Sequence, residues 1–224
     1  MAQTNSAAGV GSKNNLRPLM GNEALARGTW EAGVRVAAAY PGTPSTEILE
    51  ALADYPEENV YAQWSSNEKV SLDVAMGASF EGVRALSVMK HVGLNVAADA
   101  LMSMTYIGVN GGLVIVVCDD PGIHSSQNGQ DWRVMTRCAM VPVLEQSDAQ
   151  EALACMRHAY EISGTFDTPV IVRSTTPPFT YAEPRHSRPA HRGSAPRFDD
   201  NPVKNVMIPS HARLRHPVLR SDPG

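Results

Sequence analysis

Four polar segments, each directly after a strand-like run, carry the side chains that could do chemistry. They are residues 41–45, 65–68, 90–95 and 119–133. In sheets of parallel strands, ligands bind where loops leave the carboxyl ends of the strands. We therefore take these four segments as the candidate site, and ask what each one offers.

Glu68 is the candidate acid or base, because it begins a helical pattern just after an apolar strand-like run. A glutamate in the first turn of a helix commonly interacts with the helix dipole while remaining in water. A carboxyl buried in a cofactor cleft would instead have a raised pKa, and it could share a proton with a ring nitrogen. The spacing of the residues leaves both interpretations open.

The segment 41–45 is a candidate anion site, because it places two hydroxyls where a helix begins. Exposed backbone N–H groups and the hydroxyl of Thr43 suit a carboxylate at such a position. The alternative is that Ser45 or Thr46 caps the helix. Both interpretations are kept.

Lys90, His91 and Asn95 cluster between a strand end and a predicted helix start. His91 is a candidate general acid or base, or a donor to a substrate oxygen. The alternative is a loop histidine with ordinary hydrogen bonds. No convincing set of metal ligands lies nearby.

The segment 119–133 is long for a connection between regular elements, which is typical of a functional or a disordered loop. Its donors and acceptors are too varied for a simple linker. Asp119, Asp120 and Asp131 offer carboxylates for Mg²⁺, but no phosphate-binding glycine loop accompanies them, so a metal site is not favoured.

Strand-like and helical patterns alternate between these segments. The predicted strands are residues 34–40, 60–64, 84–89, 113–118, 141–145 and 169–173. The predicted helices are residues 21–32, 46–53, 67–80, 94–106, 132–137 and 148–163. Such alternation predicts an α/β fold with three α/β/α layers and a mostly parallel, doubly wound sheet.

Composition excludes several classes of protein. The chain has 224 residues, of which 43% are hydrophobic, and its net charge is -4. It carries no basic stripe for nucleic acid and no apolar run of the roughly 18 residues that span a membrane. Its three cysteines are scattered, which argues against a disulfide framework or an iron–sulfur cluster held by this chain alone. The start lacks a signal-peptide pattern, so a cytoplasmic location is expected.

Three zones are predicted from the changes in composition along the chain. Residues 1–18 have the polar composition of a disordered leader. Residues 19–174 form the α/β domain. Residues 175–224 are rich in proline, arginine and histidine, and we expect an irregular tail there.

Longer strings in the same segments resemble the α subunit of the indolepyruvate ferredoxin oxidoreductases, within the 2-oxoacid:ferredoxin oxidoreductase family. The matching strings are residues 19–24, 39–48, 64–70, 89–95, 119–122, 125–128 and 198–209, followed by Ala212, Arg213 and His216. They occur in order and cover most of the chain, which is more specific than any one short motif.

The resemblance implies the pyrimidine-binding domain of a thiamine-diphosphate fold. In that family a glutamate hydrogen-bonds N1′ of the pyrimidine and promotes the imino tautomer, which removes the proton from thiazolium C2. Glu68 stands at the matching position. Thr43 matches a threonine near the substrate carboxylate. Asn95, toward the cofactor, and His91, toward the substrate, fall in a segment expected to line the same pocket.

The resemblance also implies partners. A second domain holds the diphosphate through Mg²⁺, and iron–sulfur clusters pass electrons to ferredoxin while coenzyme A takes the acyl group. Neither a Gly-Asp-Gly motif followed by Asn nor a cysteine-rich segment occurs in this sequence. We therefore expect a partner chain or another domain to supply both, in a homo- or hetero-oligomer.

One departure from the family pattern supports an alternative function. The long loop has Gly129-Gln130-Asp131 where Glu-Gln-Asp is expected. The chain is then either an enzyme component acting on a 2-oxoacid, or a non-catalytic remnant or assembly subunit. A free-standing nucleotide-binding protein is set aside, because no Gly-x-Gly-x-x-Gly follows the first strand.

Overall fold

The computed structural model describes residues 16–175, 181–184, 198–206 and 208–221 of the chain. The strands are β1 (Leu16–Leu19), β2 (Val36–Ala39), β3 (Tyr61–Trp64), β4 (Ala85–Lys90), β5 (Leu113–Asp119), β6 (Val143–Glu145), β7 (Val170–Thr175) and β8 (Tyr181–Pro184). The helices are α1 (Gly21–Glu31), α2 (Thr46–Ala53), α3 (Glu68–Phe80), α4 (His91–Val96), α5 (Ala98–Ile107), α6 (Arg133–Ala139), α7 (Ala149–Phe166), α8 (Pro202–Asn205) and α9 (Pro209–Ser221).

Six of the strands form one sheet in the order β3-β2-β4-β5-β7-β6. Every neighbouring pair in it is parallel. Helices cover both faces of this sheet, so the predicted α/β/α fold with a doubly wound sheet is confirmed. None of the described helices is long and apolar enough to cross a membrane.

Side chains of the central strands alternate between two hydrophobic cores, as the period of a strand requires. On β4, Leu86 and Val88 join the core beneath α1, α2 and α7. Ala85 and Met89 join the core beneath α3, α4 and α5. Because the strand is buried on both faces, it has the unbroken apolar sequence expected of a central parallel strand.

The loops after the neighbouring strands β2 and β4 leave toward opposite faces of the sheet, which makes this the point where the strand order reverses. They approach closely there, since a Cβ built on Gly42 would lie 3.3 Å from Cβ of Lys90. Ligands bind at such switch points in open α/β sheets. All four candidate segments follow β2, β3, β4 or β5, and the carboxyl ends of these parallel strands lie along the same edge of the sheet.

Residues 91–93 differ from the prediction, because they are helical rather than part of a loop. The predicted helix over 94–106 is two helices: α4 begins at His91, and Ala97 separates it from α5. Lys90 stands at the N-cap of α4 without a capping hydrogen bond from its side chain. The sequence therefore lacks the Ser, Thr, Asp or Asn that usually marks a helix start.

The expected irregular tail was wrong for the described part of it. β8 pairs antiparallel with β1, so residues 16–18 of the expected leader are also in a strand. Prolines occupy the first positions of α8 and α9, where the fixed φ of proline fits a helix start. Residues 1–15 lie outside the described part of the chain, and the domain boundaries stay predictions.

Asp167 joins the tail to the α/β domain. Its carboxylate accepts a hydrogen bond from the backbone N–H of Val109 at 2.8 Å. It also pairs with Lys204 at 2.9 Å and with Arg215 at 3.3 Å. His216 stacks on Tyr106 beside these pairs, with ring centroids 5.9 Å apart. The α8 and α9 part of the tail is thus attached to the end of the sheet opposite the candidate site, whereas β8 pairs with β1.

We predict that Asp167→Asn loosens the tail without unfolding the domain. Asparagine tolerates the left-handed backbone of this residue (φ 53°) and still accepts the Val109 bond, but it loses both ion pairs. Proteolytic cleavage of the tail should accelerate roughly threefold at low salt, which is the scale of exposed ion pairs. Limited proteolysis with mass spectrometry measures this.

Asp99→Asn is the control, because it removes an ion pair between α3 and α5, with Lys69 at 2.6 Å, to which no residue of the tail contributes. Equal cleavage rates in the two variants would contradict the anchoring role of Asp167.

Candidate active site

Glu68 begins α3 at the carboxyl edge of the sheet. The side chain of Asn67 caps the helix by accepting from the backbone N–H of Val70 at 2.9 Å, which fixes the backbone of Glu68. Glu68 is half-buried, and within the described residues its carboxylate has neither a hydrogen bond nor an ion pair. Its side chain lies against Gly93 of α4. It is therefore not a fully solvated surface glutamate.

Side chains of Lys90 and of α4 bind the long loop 119–133. The three bonds are Lys90 Nζ to the carbonyl of Ser125 (2.8 Å), His91 Nε2 with the carbonyl of Asn128 (3.1 Å), and Asn95 Nδ2 to Oε1 of Gln130 (2.7 Å). The loop is thereby held over α4, on the same side as Glu68.

His91 lies beneath this loop and is 1% exposed. Because the carbonyl of Asn128 can only accept, Nε2 carries the proton in this arrangement. Nδ1 is buried and has no partner among the described residues. The ring thus connects α4 to the loop, and its contact with a substrate stays a prediction.

The turn after β2 leaves the hydroxyl of Thr43 available. The hydroxyl of Ser45 donates to the carbonyl of Gly42 at 2.6 Å, and Thr46 Oγ1 accepts from the N–H of Gly42 at 3.1 Å. The alternative interpretation required Ser45 or Thr46 to cap an N–H group of α2, and neither side chain does so. Thr43 is exposed, and its carbonyl accepts from the Ser125 hydroxyl at 3.4 Å, which joins this turn to the long loop.

Asp120 organises the first half of the long loop. Its carboxylate accepts from the backbone N–H groups of His124 and Ser125, at 3.0 and 2.8 Å, and from the hydroxyl of Ser126 at 2.7 Å. These bonds hold the pKa of Asp120 well below its usual range, and the backbone N–H of Ser125 contributes most. The carboxylate of Asp120 is therefore used to hold the backbone of the loop in place.

The other two aspartates of the loop are engaged separately. Asp119 is buried, accepts from the indole N–H of Trp132, and pairs with Arg173 at 2.6 Å. Arg133 pairs with Asp131 at 2.7 Å and lowers the pKa of that carboxyl to about 2. The structure does not bring the three carboxylates together, and no cluster of metal-ligating side chains occurs among the described residues.

A cavity of about 420 Å³ lies on the other face of the sheet from Glu68, between the start of α1, α2 and the ends of β5 and β7. Its wall includes Thr43, Cys118, Ser174 and Thr175. The site residues thus form two groups. Glu68, His91 and Asn95 surround or belong to α4, whereas Thr43 lies in the wall of the cavity and is joined to the long loop through its carbonyl.

Three roles in this arrangement were not predicted from the sequence: the contact of Gly93, the bonding of the loop by Asp120 and the bond of Gln130 to Asn95. Gly93 had no signal, since its contact with Glu68 joins segments 25 positions apart. Asp120 could have been found from the Asp-Pro-Gly turn pattern, because aspartates often accept from backbone N–H groups a few residues on. Gln130 stands in the string that departs from the family pattern.

We predict that Asp120→Ala releases the first half of the loop. Hydrogen exchange of the His124 and Ser125 amides should accelerate about tenfold, because two N–H groups lose a charged acceptor. In the native chain, protection should persist at neutral pH and decline only as pH falls below about 4, because a depressed pKa stabilises the folded form above the unfolded value. Exchange monitored by mass spectrometry measures both.

Asp131→Ala is the control for this variant, because it removes a carboxylate from the same loop that does not bond those two amides. Unchanged exchange in Asp120→Ala would contradict the role given to Asp120.

Comparison with known proteins identifies the family of this chain. The family model for the thiamine-diphosphate-binding domain of pyruvate flavodoxin/ferredoxin oxidoreductases matches residues 27–176. The indolepyruvate oxidoreductase subunit IorA of Pyrococcus horikoshii is 44% identical over 90% of this chain and 32% of the relative. That of Archaeoglobus fulgidus is 44% identical over 90% of this chain and 33% of the relative.

The fold agrees with a solved structure as well. A 2-oxoglutarate:ferredoxin oxidoreductase from Magnetococcus marinus superposes with a TM-score of 0.65 over 78% of this chain and 32% of that chain, at 18% identity. The chain spans about a third of the length of these relatives. It belongs to the thiamine-diphosphate-binding domain family of the pyruvate flavodoxin/ferredoxin oxidoreductases.

Proposed function

We propose that this chain supplies the pyrimidine-binding half of a thiamine-diphosphate-dependent 2-oxoacid:ferredoxin oxidoreductase, acting in the cytoplasm on an aryl pyruvate such as indolepyruvate. The observation that carries the proposal is the half-buried carboxylate of Glu68, which has no partner in the described chain and begins a helix at the carboxyl edge of the sheet. The names of the two indolepyruvate oxidoreductase subunits to which the chain is similar support indolepyruvate as the substrate.

The residues around Glu68 fit a pyrimidine ring. A carboxylate with no protein partner keeps its oxygens available for a ring nitrogen. Asn95 is exposed on α4, the helix that Glu68 packs against, and uses only its amide N–H on Gln130, so its oxygen is available to an amino group. The backbone at Gly93 leaves the carboxyl room, since no side chain projects from that position.

In the proposed site, bound thiamine diphosphate supplies a carbon nucleophile that also accepts the electron pair released on decarboxylation. Glu68 holds a proton between its carboxyl and N1′ of the pyrimidine. Sharing the proton in this way requires a desolvated carboxyl, because water would otherwise compete for the proton. Thr43 donates its hydroxyl to the substrate carboxylate, and His91 and the long loop limit access of water.

A second protein surface is part of the proposal. Large apolar side chains are exposed at or near the loops of this edge: Trp64, Val70, Val96 and Ile123. Their burial would desolvate Glu68 and bring the diphosphate half of the site, with its Mg²⁺ and iron–sulfur clusters, against this chain. Ferredoxin and coenzyme A would then act on the assembled oligomer.

We predict that Glu68→Gln removes most turnover while leaving the fold intact. Glutamine has nearly the same shape but cannot hold the proton. The expected loss is about 100-fold or more in the rate of viologen reduction that depends on a 2-oxoacid, in the range of general acid–base catalysis. The chain is assayed together with the diphosphate-binding part of its oxidoreductase, and exchange of the thiamine C2 proton is followed by NMR.

Glu151→Gln is the matched control, because Glu151 also lies in the first turn of a helix but accepts hydrogen bonds from Ser147. A normal rate in Glu68→Gln would sink the proposed role of Glu68. Assemblies that never exchange the C2 proton, even with the native chain, would favour the alternative of a non-catalytic assembly subunit.

A further inference from the structure

Gly93 lies so close to Glu68 that any side chain at position 93 would overlap the side chain of Glu68. A Cβ built on Gly93 would lie 2.5 Å from Cγ, 2.7 Å from Oε1 and 2.9 Å from Cδ of Glu68. Carbon atoms that are not bonded approach to about 3.5 Å. The side chain of Glu68 therefore fills the space that any other residue at position 93 would need.

The backbone of Gly93 does not explain why a glycine stands there. Among the described residues, the glycines with positive φ are Gly33, Gly82, Gly108 and Gly112. Gly93 instead lies inside α4, where glycine is a poor helix former compared with alanine. It is also buried, so it does not serve a surface turn. The close approach of Glu68 is the feature that requires the missing side chain.

α4 is held firmly enough to act as a wall. Leu94 packs into the core beneath the helix. His91 and Asn95, on either side of Gly93, both bond the long loop. The backbone of α4 is therefore restrained both before and after residue 93. A methyl group on that residue would displace the Glu68 side chain rather than the helix.

We propose that Gly93 is a positioning residue: its bare Cα fixes where the carboxyl of Glu68 lies. The inference rests on the proposed function, since it concerns the same carboxyl. The carboxylate is oriented by packing instead of by a charged partner. A charged partner would occupy the oxygens that a ring nitrogen needs, whereas contact with a Cα–H₂ group leaves them available.

The test compares Gly93→Ala with Gly77→Ala in the full chain, assembled as the holoenzyme. Gly77 is a matched control because it is a helical glycine of α3, and a Cβ built there meets nothing within 4 Å. Gly93→Ala should lower kcat about tenfold to 100-fold, as displacements near 1 Å do. KM for the 2-oxoacid should stay within about twofold, because Gly93 does not touch the substrate. Calorimetry should show weaker binding of thiamine diphosphate.

Combining variants separates positioning from general damage. In the Glu68→Gln background, Gly93→Ala should cause no further loss of kcat, because the carboxyl it displaces is already absent. An equal additional loss in that background would overturn the inference, as would a Gly93→Ala enzyme with the kcat and cofactor affinity of Gly77→Ala. A normal rate in Glu68→Gln would remove the proposed function, and the role of Gly93 with it.

A second pair of variants covers the case in which Gly93→Ala does not fold. Glu68→Ala shortens the facing side chain to its Cβ, so the double variant with Gly93→Ala has room for both methyl groups. Recovery of a cooperative thermal transition in that double variant supports the steric contact with Glu68. Continued misfolding would show that the methyl group clashes elsewhere, and would overturn the inference.

Discussion

The candidate site depends on one contact, in which a carboxyl group packs against a glycine. Glu68 is half-buried and has no polar partner among the described residues, and the Cα of Gly93 sets the limit of its movement. A carboxylate in that condition gives up part of its hydration, and further burial would be costly unless a hydrogen bond replaced the lost water. Such a group is retained where a ligand completes its hydrogen bonds, which is why the contact points to a cofactor.

The sheet explains how this contact is formed from distant parts of the sequence. Glu68 follows β3 and α4 follows β4, so both lie at the carboxyl edge of the sheet, because parallel strands end on the same side. β5 then delivers the long loop, which Asp120 shapes internally and α4 holds from below. The long loop thus connects the two groups of site residues, whereas α8 and α9 of the tail are attached through Asp167 at the opposite end of the sheet.

Much of the fold could be predicted from the sequence, because each central strand has an unbroken apolar run and each helix has its own period. The start of α4 at His91 could not, since Lys90 offers no capping side chain. The α8 and α9 helices were missed because proline was treated as a breaker, although it is compatible with a first helical position.

The candidate site was predictable only in part. The types of residue at strand ends indicated Thr43, Glu68, His91 and Asn95, and the parallel sheet brings them to one edge. Their contacts depend on tertiary packing, which spacing does not encode. The burial of His91 under the loop and the contact of Glu68 with Gly93 are of that kind.

The most direct test of the central claim is a structure of the assembled enzyme with thiamine diphosphate bound. We expect a carboxyl oxygen of Glu68 to lie within hydrogen-bonding distance of pyrimidine N1′, at about 2.6–3.2 Å, with its side chain still against Gly93. A cofactor bound elsewhere, with Glu68 facing open water, would contradict it.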